Sequence, residues 1–311
     1  MTAISVVVAT CNRPRELAAC LRSLVLQTRS AARIVVVDDA PGGALTPAVV
    51  ARIAGEGPVR YVEGPGRGLA AAHNRALREV ETPLVAFTDD DVVADERWLE
   101  RLAAVFATSP SVACVTGRIV PFELATEAQE VLDRYARYDK GLTRRVFDLD
   151  AHRPPDPLFP FAAGTFGSGA NMAFRRAVLA AVGGFDPALG AGTRAMGGDD
   201  LAAFFEVLQR GHRLVYEPAA VVAHRHDRDG RALERQVYGY GVGLTAYLTK
   251  CMLDRPRLWP TALRRIPMAV AFKRAGLPAD FPPALARAER RGMLAGPFAY
   301  LASRRSCTRA A

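Results

Sequence analysis

Leu84-Val-Ala-Phe-Thr-Asp-Asp-Asp91 passes directly from an apolar run into three consecutive carboxylates. Four apolar residues that end on a polar cluster read as a strand meeting its loop. The same grammar recurs upstream, where Ile4 to Ala9 leads into Thr10-Cys-Asn-Arg13 and Ile34 to Val37 leads into Asp38-Asp39. Val59 to Val62 and Val112 to Val115 are further strand candidates, and helical patterns fill the gaps. Alternation at this spacing predicts βα units with right-handed crossovers, hence an α/β, Rossmann-like, mostly parallel sheet flanked by helices. Ligands of such sheets bind beyond the carboxyl ends of the strands, so the three polar clusters are expected to converge on one edge.

Further along, residues 121–160 break the rhythm. A helical stretch, Glu127 to Tyr138, precedes Arg153-Pro-Pro-Asp-Pro-Leu-Phe-Pro160, which is neither regular helix nor central strand and reads as an insertion or flexible loop near the site. The pattern resumes with Gly167-Ser-Gly-Ala-Asn-Met-Ala-Phe174 and Gly183-Gly-Phe-Asp-Pro187. A helix from about Asp199 to Arg210 and a strand pair around Arg213 to Ala223 follow, and only helices are expected beyond His226.

The 311 residues are 50% hydrophobic, enough for one large domain or two small ones with a sizeable core. Five cysteines, odd in number and without C-x-x-C spacing, argue against a disulfide framework and a zinc knuckle. No apolar run reaches the roughly 18 residues a membrane span needs, and Met1 to Thr10 lacks a basic signal region, so a cytoplasmic location is expected. The net charge of +9 is uneven: residues 225–311 hold 17 Lys or Arg against 6 Asp or Glu, which is +11, leaving −2 for the rest.

In order, Ser5-Val-Val-Val-Ala-Thr-Cys-Asn-Arg13, Val35-Val-Val-Asp-Asp39, Gly68-Leu-Ala-Ala-Ala-His-Asn-Arg-Ala-Leu77, Phe87-Thr-Asp-Asp-Asp91, Asn171-Met-Ala-Phe-Arg175, Gly184-Phe-Asp186, Gly198-Asp-Asp-Leu201 and His224 resemble a family 2 glycosyltransferase of the GT-A fold. The resemblance covers roughly residues 3–226. It implies a catalytic domain over 1–226, with a nucleotide-binding half at about 1–120 and an acceptor half at about 160–226, followed by a basic helical region over 227–311. It further implies inverting transfer of a sugar from a nucleotide-diphosphate donor, UDP- or dTDP-linked, to an acceptor hydroxyl.

Transfer from such a donor needs the leaving diphosphate neutralised, which a divalent cation does. Mg²⁺ and Mn²⁺ prefer carboxylate oxygen, so a short acidic loop at a strand end is the ligand set to look for. By resemblance Asp91 holds the metal, with Asp89 and Asp90 near the ribose; the plain alternative is an acidic turn before Glu96. His224 resembles the histidine that completes the metal site in some members, or is an ordinary core or surface histidine, and His226 would share its face on a continuing strand. Ala9, Thr10, Asn12 and Arg13 from one strand end and Asp38 and Asp39 from the next are candidates for the nucleoside, Asp39 by resemblance to the family's base-binding aspartate; the plain alternative for Asp38 and Asp39 is a solvated turn before Pro41-Gly42-Gly43. Gly64-Pro-Gly-Arg-Gly68 would let backbone approach the donor, with Arg67 near the diphosphate.

The acceptor hydroxyl needs a base. By register Asp200 matches the family's general base, with Asp199 its catalytic neighbour; the plain alternative is a helix cap, which applies more naturally to Asp199. The commonest family pattern has Glu at Asp199 and an acid near Ala202, and this sequence differs at both. Gly169 and Asn171, with Gly167, would let sugar lie close to backbone, or form a bulge in an inner strand.

Basic pairs Arg264-Arg265, Lys273-Arg274, Arg290-Arg291 and Arg304-Arg305 beside apolar residues suit a membrane headgroup surface, a solvated appendage or a dimer contact. No nucleic-acid module accompanies them. The expected partners are therefore a nucleotide-sugar donor, a glycan, lipid-linked or small-molecule acceptor, and an anionic membrane touched peripherally at its inner face. Two rival readings are a sugar-phosphate nucleotidyltransferase, which should show a Gly-rich phosphate loop after the first strand, and a non-catalytic sugar-nucleotide-binding protein.

Overall fold

The computed structural model describes residues 2–227, 229–276 and 280–309. Strands β1 (Ile4–Thr10), β2 (Ile34–Asp38), β3 (Val59–Glu63) and β4 (Leu84–Asp89) form a parallel half-sheet in the order β3-β2-β1-β4, crossed over by α1 (Pro14–Val25), α2 (Leu45–Ala54) and α3 (Leu69–Leu77). The second half is built from β5 (Val92–Ala94), α4 (Trp98–Thr108), β6 (Val112–Pro121), α5 (Glu127–Ala136), β7 (Arg145–Phe147), β8 (Met172–Arg175), α6 (Arg176–Ala181), α7 (Asp199–Gln209) and β9 (Arg213–His224). There β8 runs antiparallel between β4 and β6, β9 runs parallel to β6, and β5 and β7 lie antiparallel on β9. The result is one nine-stranded sheet.

Period-two alternation divides the buried strands between two cores. Val7, Val35, Val85 and Phe87 join Ala70, Ala72 and Ala76 of α3 and Phe204 and Phe205 of α7 on one face. Val6, Val8, Ile34, Val36 and Leu84 join Leu17, Leu21 and Leu24 of α1 and Trp98 and Leu102 of α4 on the other. Helices on both faces explain why the parallel strands read as continuous apolar runs. Each fully buried side chain of this kind stabilises the fold by about 1.5–3 kcal/mol.

Three local expectations change. The strand pair near Arg213 is a single twelve-residue strand, β9, because β6 pairs along it on both sides of a bulge. The helix beginning at Glu127, opened by a Thr126/Gln129 capping box, ends at Ala136 rather than Tyr138, since Arg137 takes a left-handed backbone (φ 48°) that helices use to terminate. The Pro-rich segment is packed: Leu158, Phe159 and Phe161 are buried in the core.

Beyond β9 come α8 (Gly230–Asp254), α9 (Trp259–Gly276) and α10 (Pro283–Arg309). The side chains of Lys273 and Arg274 lie outside the described residues. Helices α8 and α10 pack at glycine contact: a Cβ on Gly241, Gly292 or Gly296 would collide with the facing helix. Helix α8 also reaches the loop before α7, where a Cβ on Gly198 would meet the Gly243 carbonyl at 2.6 Å. Gly198 has φ +87°, a conformation glycine alone adopts without strain, and it hands the chain directly to Asp199.

Candidate active site

Strand register brings the polar clusters together. Thr10 lies opposite Asp38 and Ala9 opposite Asp89, so three strand ends share one edge. After Asp89 the chain turns within two residues into β5, whose Val92 pairs with His224 across the antiparallel ladder. That pairing carries His224 to the acidic turn. Its Nε2 stands 3.2 Å from Asp91 Oδ1 and 4.0 Å from Asp89 Oδ2.

The three carboxylates have different partners. Asp90 is turned back towards β1, accepting from Thr10 Oγ1 at 2.7 Å and more distantly from Arg13. Arg13 donates to Asp91 Oδ2 at 2.7 Å. Burial, then the neighbouring Asp91 charge, pushes Asp89 up to about 7, against His224. Burial and Asp91 likewise raise Asp90 to about 6, against Thr10 and Arg13. At Asp91 burial also works upward, but His224 and Arg13 outweigh it and hold the carboxyl below its usual range. Conversely, burial would lower His224, yet the hydrogen bond and charge of Asp91 raise it.

These residues fit a hard divalent cation. Asp89, Asp91 and His224 each offer a ligand atom, all within 4.8 Å of one another. Asp91 Oδ1 is buried without a well-aligned hydrogen-bond donor, although His224 Nε2 faces it. Two lone-pair atoms so placed call for a proton or a cation between them.

Behind His224 stands His226, past the end of β9. The two Nδ1 atoms are 3.3 Å apart, and His226 is lowered to about 4 by burial and then by the His224 charge. A neutral His226 that accepts from His224 Nδ1 leaves Nε2 of His224 directed at the carboxylates, an arrangement that orients a metal-ligating ring. Gln129 Nε2 holds the His226 carbonyl at 2.9 Å. Tyr138 stacks on His226 with ring centroids 5.8 Å apart and bonds through its hydroxyl to Tyr240 of α8, itself held by Gln236 at 2.8 Å. Sequence reasoning missed both tyrosines; the one available signal was the Tyr238-Gly-Tyr-Gly-Val-Gly243 run, which sits in a region otherwise read only for its charge.

On the β2 side the two aspartates divide. Asp38 is buried and serves the loop, accepting from Ala40 N and the Tyr61 hydroxyl. Asp39 accepts the amides of Arg67 at 3.2 Å and Gly68 at 2.7 Å, tying the β2 end to the start of α3. The loop around Ala191 closes on the same point, its carbonyl accepting from Leu69 N at 2.9 Å. Asn12 is exposed with a left-handed backbone (φ 56°), and the Arg67 side chain is exposed.

Asp200 lies in the first turn of α7. Its Oδ2 accepts from Gly169 N and its Oδ1 from Leu201 N, both at 2.8 Å. Burial raises its pKa, against those amide bonds, and its charge in turn reaches Asp89 across the site. Asp199 faces the interior. Burial and then the Asp200 charge push it up to about 8, and His73 Nδ1 is 4.0 Å away. His73 is buried between Phe87 and Phe185, and burial drops it to about 3. Gly169 therefore touches the Asp200 carboxylate. Asn171 spends its amide elsewhere, accepting from Trp98 Nε1 and donating to the Arg118 and Ala220 carbonyls at 2.8–2.9 Å.

Known proteins resemble this chain in both sequence and fold. The family model for glycosyl transferase family 2 matches residues 5–183. Pre-mycofactocin glycosyltransferase of Mycobacterium tuberculosis is 32% identical over 213 residues, 68% of this chain and 41% of that protein. Glucosyl-dolichyl phosphate glucuronosyltransferase of Haloferax volcanii is 24% identical over 169 residues, 54% of this chain and 50% of that one. The chain thus spans half or less of the length of these curated relatives. Mannosyltransferase PcManGT from Pyrobaculum calidifontis, solved with GDP-Man and Mn²⁺, superposes with a TM-score of 0.59 at 22% identity, covering 97% of this chain and 85% of its own. GalNAc-T7, solved with UDP, GalNAc and Mn²⁺, gives 0.55 at 17% identity over 82% of this chain and 51% of its own. These neighbours agree with a GT-A sheet carrying additional C-terminal helices. With the family match running over more than half of its 311 residues, the chain belongs to glycosyl transferase family 2.

Proposed function

We propose that the protein transfers a sugar from a UDP- or dTDP-linked donor to an acceptor hydroxyl, with inversion at the anomeric carbon. The observation that carries this reading is a carboxylate–histidine cluster near enough to a helix-held carboxylate of raised pKa that the Asp200 charge acts on Asp89.

Asp91, with Asp89 and His224, would hold Mg²⁺ or Mn²⁺. Bound there, the ion would supply positive charge for the leaving diphosphate. The chain's own residues do the rest. Thr10 and Arg13 fix the acidic turn, and Arg13 and Arg67 offer guanidinium charge to the donor phosphates. Asp39 and the β1 end, Ala9, Thr10 and Asn12, frame the nucleoside. Asp200 takes the acceptor proton as its oxygen attacks the face opposite the leaving group. Two amide donors keep that carboxylate in one orientation, and its raised pKa brings it towards the operating pH. The raised pKa of Asp199 disfavours a second negative charge beside the base. Gly169 would line the sugar's approach through its backbone, while Asn171, fully buried, holds the surrounding strands without reaching the sugar.

The C-terminal basic region is proposed to rest on the anionic inner face of a membrane, bringing the site to a lipid-linked acceptor. Other acceptor classes to test are glycan and small-molecule hydroxyls. Screening nucleotide sugars by thermal shift and turnover, with and without Mn²⁺, tests the proposal: a metal-dependent shift and hydrolysis with one donor class supports it. Silence across the panel would favour a non-catalytic or nucleotidyltransferase protein.

A further inference from the structure

The side of α10 turned away from α8 carries Leu294, Phe298 and Leu301, exposed at 76%, 75% and 39%. Steps of four and three residues put them on one stripe. The opposite side, Leu285, Ala288, Gly292, Gly296 and Tyr300, is buried, so the stripe is what the helix leaves uncovered once it has packed on α8.

Arginines bracket that stripe. Arg287, Arg290 and Arg291 precede it and Arg304 and Arg305 follow it, all exposed, while the helix's sole acidic residue, Glu289, is buried at 4%. Arg291 also joins Arg231, Arg235 and Tyr238 around a cleft of about 840 Å³ that includes Asp229 and Glu234. This cleft begins where Asp229 caps α8, five residues past His224, so the basic surface starts close to the strand end that bears the carboxylate–histidine cluster.

Single exposed apolar residues are ordinary, but an aromatic and two leucines in line, with arginines in excess at both ends even though Arg291 pairs with Glu234 of α8 at 3.2 Å, match the layered chemistry of a bilayer surface. A second copy of the chain is a poorer occupant. A two-fold contact through this stripe would set the arginine clusters against themselves or each other, a like-charge arrangement.

We propose that α10 lies in the headgroup layer of a bilayer containing anionic phospholipid, with Leu294, Phe298 and Leu301 at the acyl boundary and the arginines on headgroup phosphates. The inference names the surface for the membrane contact proposed above and rests on it, not on the transfer chemistry. No helix among the described residues is long and apolar enough to cross a membrane, so the contact is peripheral.

Vesicle flotation of the full chain, without donor or metal, tests this. The wild type should float with phosphatidylcholine–phosphatidylglycerol vesicles and not with phosphatidylcholine alone, and high salt should release it. The double variant Leu294→Asp, Phe298→Asp should lose binding by about tenfold or more at an unchanged unfolding midpoint, since both side chains are exposed. Absence of wild-type flotation would overturn the membrane contact altogether. Flotation that survives the double substitution would keep the contact but overturn this surface. A change of oligomeric state in the variant, seen by light scattering without wild-type flotation, would assign the stripe to a second copy instead.

Discussion

Two acidic clusters lie within electrostatic reach of one another in the candidate site, and Asp91 and Asp200 have opposite fates in them. In the Asp89–Asp91 turn, Arg13 and His224 hold Asp91 ionised although the turn is buried. In the Asp199–Asp200 pair, among the described residues, backbone amides rather than a cation hold Asp200, and burial raises it. On the proposed reading, the cations beside Asp91 keep a metal ligand ionised, while burial, outweighing the amide bonds, raises Asp200 towards use as a base. Environment, not residue type, would then separate a metal-binding role from a proton-accepting one.

The comparison is broken most forcefully at Asp200. Asp200→Asn keeps the side-chain shape and one of the two amide contacts but removes the proton acceptor, and turnover is expected to fall by about 10²–10⁴-fold with donor affinity unchanged. A steady-state rate alongside a donor titration measures both. Asp91→Asn should act in the other cluster, lowering transfer by about two orders of magnitude through lost metal-dependent donor binding, as removal of several kcal/mol of charge stabilisation requires. Smaller again is His226→Phe, which removes the nitrogen that meets His224 Nδ1; Mn²⁺ affinity should drop by about 10- to 100-fold while the rate at saturating metal changes little.

The smallest effect concerns His73, behind Asp199. Its folded pKa of about 3 lies below the ordinary 6.5, so the folded state resists a proton that the unfolded chain accepts. Stability from this group is complete above pH 6.5 and is lost as pH falls from 6.5 towards 3, with a slope of up to about 1.4 kcal/mol per pH unit. His73→Leu should therefore flatten that part of the stability–pH curve in denaturant titrations. It should also cost little at pH 7, because both ring nitrogens are buried without hydrogen-bond partners.

Legibility in the sequence followed the range of each interaction. Strand ends such as Phe87-Thr-Asp-Asp-Asp91 were readable because an apolar run stops where carboxylates begin, a local signal, and the parallel order then follows from chirality. The second half of the sheet was less so: β8 inserts antiparallel between β4 and β6 through pairings more than fifty residues apart, which no periodicity reports. The same limit governs the site. The motif locates Asn171 but not its bonds to Trp98, Arg118 and Ala220, and nothing local links Tyr138 to Tyr240, 102 residues on.

The most direct test of the division between the two clusters is calorimetric titration of a nucleotide-sugar donor, with and without Mn²⁺, into the wild type, Asp91→Asn and Asp200→Asn side by side. The account predicts Mn²⁺-dependent binding that Asp200→Asn retains at wild-type affinity and Asp91→Asn loses. Equal Mn²⁺-dependent binding in all three proteins would contradict it.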